Sequence, residues 1–159
     1  MSRSVWRIAA DTPEYTADDV SGTGAKRTGG RWNRIGTPML YSAGNIALAC
    51  LETFVHLNSG GLPLNRYLVE LVIPDELWEK AVRLDLTGRK YIGWDAMPYG
   101  KVSLDLGDQW AAEKASVLLI VPSAIVPEEF NVLINPAHPD AAAISAKKIR
   151  KWLYDPRMR

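Results

Sequence analysis

Glu52 sits where a soluble helix would carry an apolar residue, within Asn45-Ile46-Ala47-Leu48-Ala49-Cys50-Leu51-Glu52-Thr53-Phe54-Val55-His56-Leu57. At 3.6 residues per turn, Leu48, Leu51 and Val55 stand four before, one before and three after it, so the carboxylate shares or borders an apolar face. Burying a lone carboxylate is unfavourable, so this position implies a facing cation or a site that uses the charge. Upstream, the cation in the most unusual setting is Arg31, in Thr28-Gly29-Gly30-Arg31-Trp32-Asn33. Its glycines would let main-chain amides approach an anion, and a guanidinium is a planar two-pronged donor suited to phosphate. A surface loop that happens to carry an arginine fits this segment alone as well.

Two more side chains could open into the same cleft. Tyr41 ends a strand shortly before the Glu52 helix, and its ring could stack on a flat ligand; an ordinary core tyrosine is the plain alternative. Ser123 follows Pro122 just past a buried strand. It has no Gly-x-Ser-x-Gly elbow around it, so it reads as a hydrogen-bond donor or a turn residue rather than a nucleophile. Gly22-Thr23-Gly24 through Gly29-Gly30 has the wrong spacing for a dinucleotide glycine loop, and no strong strand precedes it. His56, His138 and the lone Cys50 make a poor metal set, so no metal is expected.

Specific elements must position these groups. Ser4 to Ala9 reads as a strand, followed by an acidic loop from Asp11 to Asp19 and the glycine-rich segment Ser21 to Gly30. Met39 to Ser42 is a second strand, with Ser42 expected to cap the Glu52 helix. Arg66 to Ile73 alternates as a half-buried strand and Pro74 ends it. Asp75 is expected to cap a short helix through Lys80, Val82 to Leu86 to form a strand, and Asp108 to cap a helix reaching Ser116. Val117 to Val121 is a continuous run of β-formers, a central strand with Phe130 to Ile134 as its neighbour. Lys147 to Tyr154 mixes basic and β-forming residues, as an edge strand with exposed lysines would. Short strands with few helices give an α+β class.

Composition narrows the options further. A chain of 159 residues with 47% apolar content and no linker or repeat suits one domain over 1–159. A formal net charge of +1 gives no general field toward nucleic acid or an anionic membrane. The N-terminal residues lack a signal-like apolar core, and the longest apolar stretch, Val117 to Val126, is broken by Pro122 and too short to span a bilayer. A single cysteine suits a reducing compartment, so the expected location is cytoplasmic.

Taken together and in order, Trp6-Arg7-Ile8, Gly29-Gly30-Arg31-Trp32-Asn33, Leu40-Tyr41-Ser42, Leu48-Ala49-Cys50-Leu51-Glu52, Gly107-Asp108-Gln109-Trp110, Leu119-Ile120-Val121-Pro122-Ser123 and Asn131 to Pro136 resemble the RES-domain family. The family takes its name from an arginine, a glutamate and a serine, matched here by Arg31, Glu52 and Ser123. The resemblance implies a fold like the ADP-ribosyltransferases and the toxin half of an Xre/RES toxin-antitoxin pair acting on NAD. It also implies that the arginine, a tyrosine matching Tyr41, the glutamate and the serine surround the dinucleotide. A separate antitoxin with a helix-turn-helix domain would cover that cleft, and NAD would be a substrate with no further cofactor.

The residues suit that chemistry on their own terms. Breaking the nicotinamide–ribose bond passes through an oxocarbenium-like state, and nicotinamide leaves as a neutral molecule needing no acid. An ionised Glu52 would stabilise the positive charge growing on the ribose. Arg31 would bind the pyrophosphate or neighbouring ribose, Tyr41 would pack on the nicotinamide or its ribose, Ser123 would hydrogen-bond nearby, and Arg7 would be a second phosphate contact. The leading expectation is NAD degradation with water or phosphate as acceptor. ADP-ribosyl transfer to a protein would use the same cleft. A non-enzymatic module binding nucleic acid through Lys147, Lys148, Arg150 and Lys151 is a third reading, set against a solvated basic edge strand.

Overall fold

The computed structural model describes residues 1–57 and 61–158. Seven strands form one mixed sheet: β1 (Ser2–Ala10), β2 (Leu40–Ala43), β3 (Arg66–Pro74), β4 (Val82–Arg83), β5 (Leu118–Pro122), β6 (Phe130–Ile134) and β7 (Ser145–Lys151). Their spatial order is β4-β5-β6-β2-β1-β3-β7, with β4 and β5 parallel and every other pair antiparallel. The helices are α1 (Thr23–Thr28), α2 (Ile46–Phe54), α3 (Asp75–Glu79) and α4 (Lys101–Glu113). This is the α+β architecture expected of short β-branched runs separated by turn residues. Phe130 to Ile134 does pair with the central strand, in the register Leu119↔Leu133 and Val121↔Asn131.

Alternation along the strands divides the core between two faces. One face carries Val5, Val69, Leu71, Ile73, Leu118, Ile120, Val132 and Ile134, covered by Leu77 and Trp78 of α3 and by Ile144. On the other face, α2 packs Leu48 and Ala49 onto Ile8, Ala43 and Leu68. Beside it, α4 packs Trp110 and Ala111 with Trp32 onto Leu119, Val121 and Leu133. The pairing of β1 with β2 is brief. The two share one register pair, Trp6↔Ala43, after which the strands part over Arg7 to Ala10 and Leu40 to Tyr41.

Several local expectations are corrected by geometry. Ser42 does not cap α2: it is buried in β2, where its hydroxyl donates to the Val132 carbonyl, and Asn45 is the cap, accepting from the Leu48 amide at 2.7 Å. Asp75 is the first residue of α3 rather than its cap, and the preceding Pro74 offers no side-chain acceptor. The Val82 strand is only two residues long because β5 gives it partners at Leu119 and Ile120 alone. Asp108 lies inside α4, which starts seven residues earlier at Lys101, because its carboxylate is taken by Arg34. The glycine-rich segment contains a short helix, α1, entered through Gly22 at φ 72° and left through Gly29 at φ 74°. The basic segment is the edge strand β7, as its exposed lysines require, but it spans Ser145–Lys151 and carries a bulge opposite Leu68/Val69.

One close approach fixes α4 against the segment carrying Arg31. A Cβ built on Gly107 would lie 1.7 Å from the Trp32 carbonyl oxygen, so only glycine fits there. Arg34 bolts the same contact, its guanidinium meeting Asp105 at 2.7 Å and Asp108 at 3.0 Å. Gly107→Ala is therefore expected to destabilise the fold by about 1–3 kcal/mol or more through overpacking. A melting curve on the purified variant that overlays the parent's would contradict this contact.

Candidate active site

The Gly29-to-Asn33 turn is built around a buried amide. Asn33, 0% exposed, donates through Nδ2 to the carbonyls of Ala25, Arg34 and Thr37 at 2.9, 3.2 and 3.0 Å. Its Oδ1 accepts from the Tyr41 hydroxyl at 2.6 Å, and that hydroxyl in turn accepts from the Trp32 amide at 3.0 Å. Burial holds the Tyr41 hydroxyl protonated well above the ordinary tyrosine range, as a donor to Asn33 requires. Both of its strong hydrogen-bonding roles are thus used inside the protein, and the ring is what Tyr41 has left to offer a ligand.

Arg31 projects from this turn to a different anchor. Its Nη1 donates to the carbonyls of Trp94 and Ala96 at 3.0 and 2.9 Å, and Nη2 approaches the Met97 sulfur at 3.4 Å. Carbonyls orient a guanidinium without neutralising it, so its charge remains available. The expected meeting of Arg31 with Glu52 is not seen. Among the described residues Glu52 is met by Ser123, whose hydroxyl donates to Oε1 at 2.7 Å. The Ser123 oxygen accepts from the amides of Ile125 and Val126, both at 3.1 Å. With its O–H directed at Glu52 and its oxygen accepting from two amides, this fully buried serine is set as a hydrogen-bond donor that orients the carboxylate.

Where β1 and β2 part, a cavity of about 290 Å³ opens. Arg7 and Ala9 from β1, Thr23 and Gly24 from α1, Tyr41 from β2, and Thr53 and His56 around the end of α2 are among its lining residues. Arg7 is its cation, half-buried as a residue. Among the described residues its Nε is buried with no partner, and Nη1 reaches only the Tyr41 carbonyl at 3.5 Å. Burial pushes the guanidinium down to about 10, opposed by the charges of Asp19 and Tyr15, so it is still cationic at neutral pH. An unpaired buried donor on a cation is the feature that most directly asks for an anion.

The structure thus distributes the expected set. Arg7 and Tyr41 line the cavity, Glu52 is next in sequence to its lining residue Thr53, and Glu52 and Ser123 are in contact. Arg31, Glu52 and Ser123 are not themselves in the lining. Arg31 is joined to Tyr41 through the turn that Asn33 holds. Asn33 and Trp94 are the residues that sequence reasoning missed. Asn33 stood inside the motif, and three carbonyls converging from a tight turn is the signal such an asparagine serves; Trp94 lies 63 residues from Arg31 and left none.

The model of the RES domain matches residues 4–156. The chain belongs to this family. A 61% identical relative from Sphingobium sp. (strain YBL2), aligned over 99% of this chain and 98% of its own length, is named "Prs ADP-ribosylating toxin". A "Toxin Res" from Photorhabdus laumondii is 36% identical over 80% of this chain and 79% of that one. Among solved structures, a chain of the M. tuberculosis MbcT-MbcA toxin-antitoxin complex superposes with a TM-score of 0.62, covering 94% of this chain and 85% of that one. At 17% identity it shows that the RES fold described above is shared.

The Asn33–Tyr41 bond gives a direct test. Tyr41→Phe leaves the Trp32 amide and Asn33 Oδ1 without this partner, which is expected to cost about 1–3 kcal/mol. Denaturant unfolding measures it. A variant as stable as the parent would show that the hydroxyl does not hold the turn.

Proposed function

We propose that this chain is the toxin of a toxin-antitoxin pair and an enzyme that breaks the bond between nicotinamide and ribose in NAD, handing ADP-ribose to an acceptor. The observation that carries this reading is the carboxylate of Glu52, fixed by Ser123 at 2.7 Å on the helix that borders a cavity lined by an arginine, Arg7, whose buried Nε has no partner among the described residues. In this reading Arg7 and Arg31 take the anionic pyrophosphate and its neighbouring ribose. The Tyr41 ring packs against the nicotinamide end, and Glu52 opposes the positive charge that grows on the ribose as nicotinamide departs. The fixed hydroxyl of Ser123 holds Glu52 in one orientation, so little reorganisation is needed as charge develops. No proton has to be delivered to the leaving group.

The acceptor separates two readings of the same cleft. Water or phosphate would make the protein an NAD-degrading enzyme. A macromolecular acceptor would make it an ADP-ribosyltransferase. The name of the 61% identical relative supports transfer and offers Prs as the first acceptor to try. The sequence alone ordered these the other way, because Glu52, Arg31 and Tyr41 concern the donor and carry nothing about the acceptor. The toxin-antitoxin complex among the structural neighbours supports a separate antitoxin partner, proposed here to bring a helix-turn-helix domain and cover the cleft. Among the described residues no helix is long and apolar enough to cross a membrane, and the proposed place of action is the cytoplasm, where NAD is found.

The deciding experiment incubates the protein with NAD labelled in its ADP-ribose part, alone and with cell lysate or Prs, and follows the label by mass spectrometry. Label on protein is the expected result. Label recovered only as free ADP-ribose or its phosphate moves the conclusion to NAD degradation. Glu52→Gln keeps size and removes charge, so nicotinamide release should fall about 10²-fold or more while NAD affinity changes little and the melting curve is retained. A folded Glu52→Gln protein working at the parent rate would take Glu52 out of the mechanism. Arg31→Lys keeps the charge without the planar fork and should weaken NAD binding; equal affinity would mean that the fork is not used.

A further inference from the structure

Arg31 owes its orientation to one short, exposed segment of main chain. Both donors of Nη1 are directed at carbonyls two residues apart, those of Trp94 and Ala96, and such convergence needs a tight turn. The segment supplies it: Gly93 has φ 95°, the Trp94 amide donates to the Tyr91 carbonyl at 3.0 Å, and the Ala96 amide donates to the Gly93 carbonyl at 3.2 Å. Asp95, Ala96 and Met97 are all exposed, so the turn is not held from above. Within residues 93–97, Trp94 is the side chain that packs into the core. The Trp94 ring stacks on Trp32, with centroids 6.1 Å apart and planes 27° from parallel, and both join the cluster formed with Leu86 and Trp110.

We infer that Trp94 is a positioning residue for Arg31: by stacking on Trp32, the residue next to Arg31, it holds the 93–97 turn so that two carbonyls aim the guanidinium at the substrate anion. The geometry has a specific advantage for this task. A carboxylate partner would fix Arg31 equally well but would cancel the charge that an anion needs, whereas carbonyl dipoles orient it and leave the charge intact. Asp95, lying between the two carbonyls in sequence, makes no ion pair with Arg31 among the described residues. The Nε–H of Arg31 likewise has no acceptor among them, so one donor edge is left for a ligand. Trp94 touches no reacting atom in this scheme and acts only through Arg31. This inference rests on the reading of Arg31 as a contact to the NAD pyrophosphate or adjacent ribose.

The test uses the full chain and measures nicotinamide release across NAD concentrations, with a melting curve on each preparation. Trp94→Leu keeps apolar cover and removes the stack; Trp94→Phe keeps a ring that can stack. The expected result is a KM raised by at least about tenfold in Trp94→Leu with kcat within about threefold of the parent, and a KM near the parent's in Trp94→Phe. In an Arg31→Lys background, Trp94→Leu should add less than about twofold, since the group it positions is gone. A parent-like KM in Trp94→Leu while Arg31→Lys raises it, or an equal effect of Trp94→Leu in both backgrounds, overturns the role of Trp94 alone. A parent-like KM in Arg31→Lys overturns the reading of Arg31 and the inference with it. A readout on the parent protein needs no variant to fold: nitrogen NMR without NAD should show the Arg31 guanidinium as ordered, slowly rotating N–H groups, and freely averaged signals overturn the proposal.

Discussion

The site is organised by one neutral side chain, Asn33. Three carbonyls from Ala25, Arg34 and Thr37 converge on its amide nitrogen, and its oxygen takes the Tyr41 hydroxyl. Because the group is completely buried, each of these bonds replaces water that cannot enter, and losing any one leaves a polar group stranded. The turn is therefore held by four hydrogen bonds to one buried side chain. These bonds tie α1, the arginine at position 31 and the entry of β2 into one unit. Gly107 and Arg34 then lock the unit onto α4.

Around this unit the sheet does two jobs. Its central strands β5 and β6 are buried on both faces and supply a rigid wall, with Leu118, Leu119, Val132 and Leu133 all fully enclosed. At β1 and β2 the wall opens, because antiparallel pairing stops after Trp6↔Ala43. The opening is what admits a cavity beside the ends of β1 and β2. It also explains how a charged residue can project from a core strand: Arg7 shares its face of β1 with Val5 and Ala9, and its head reaches the gap where a neighbouring strand would otherwise lie.

Much of this was legible in the chain, for reasons that differ by element. The alternation of Arg66 to Ile73 and the β-branched run from Val117 to Val121 are local signals, and the strands followed them. The family was legible because its short motifs lie in a fixed order, each weak singly. What failed were inferences that required knowing a distant partner. Asp108 looked like a helix cap because aspartate suits a helix start, but Arg34, 74 residues away, claimed it. Arg31 and Glu52 looked like natural partners by charge, yet backbone carbonyls took one and Ser123 the other. Dipoles of the main chain carry no signature in side-chain sequence, which is why the Trp94 and Ala96 contacts were unreadable.

The unpaired head of Arg7 bears on how this protein relates stability to binding. Folding encloses its Nε without returning a hydrogen bond to it among the described residues, a desolvation cost set against the stability of the core. On the proposed reading, an anion entering the gap would give that donor its partner, and the recovered energy would add to affinity. An apolar residue of similar length at position 7 would then give a sturdier molecule with a weaker grip. Stability and binding therefore pull on this position in opposite directions.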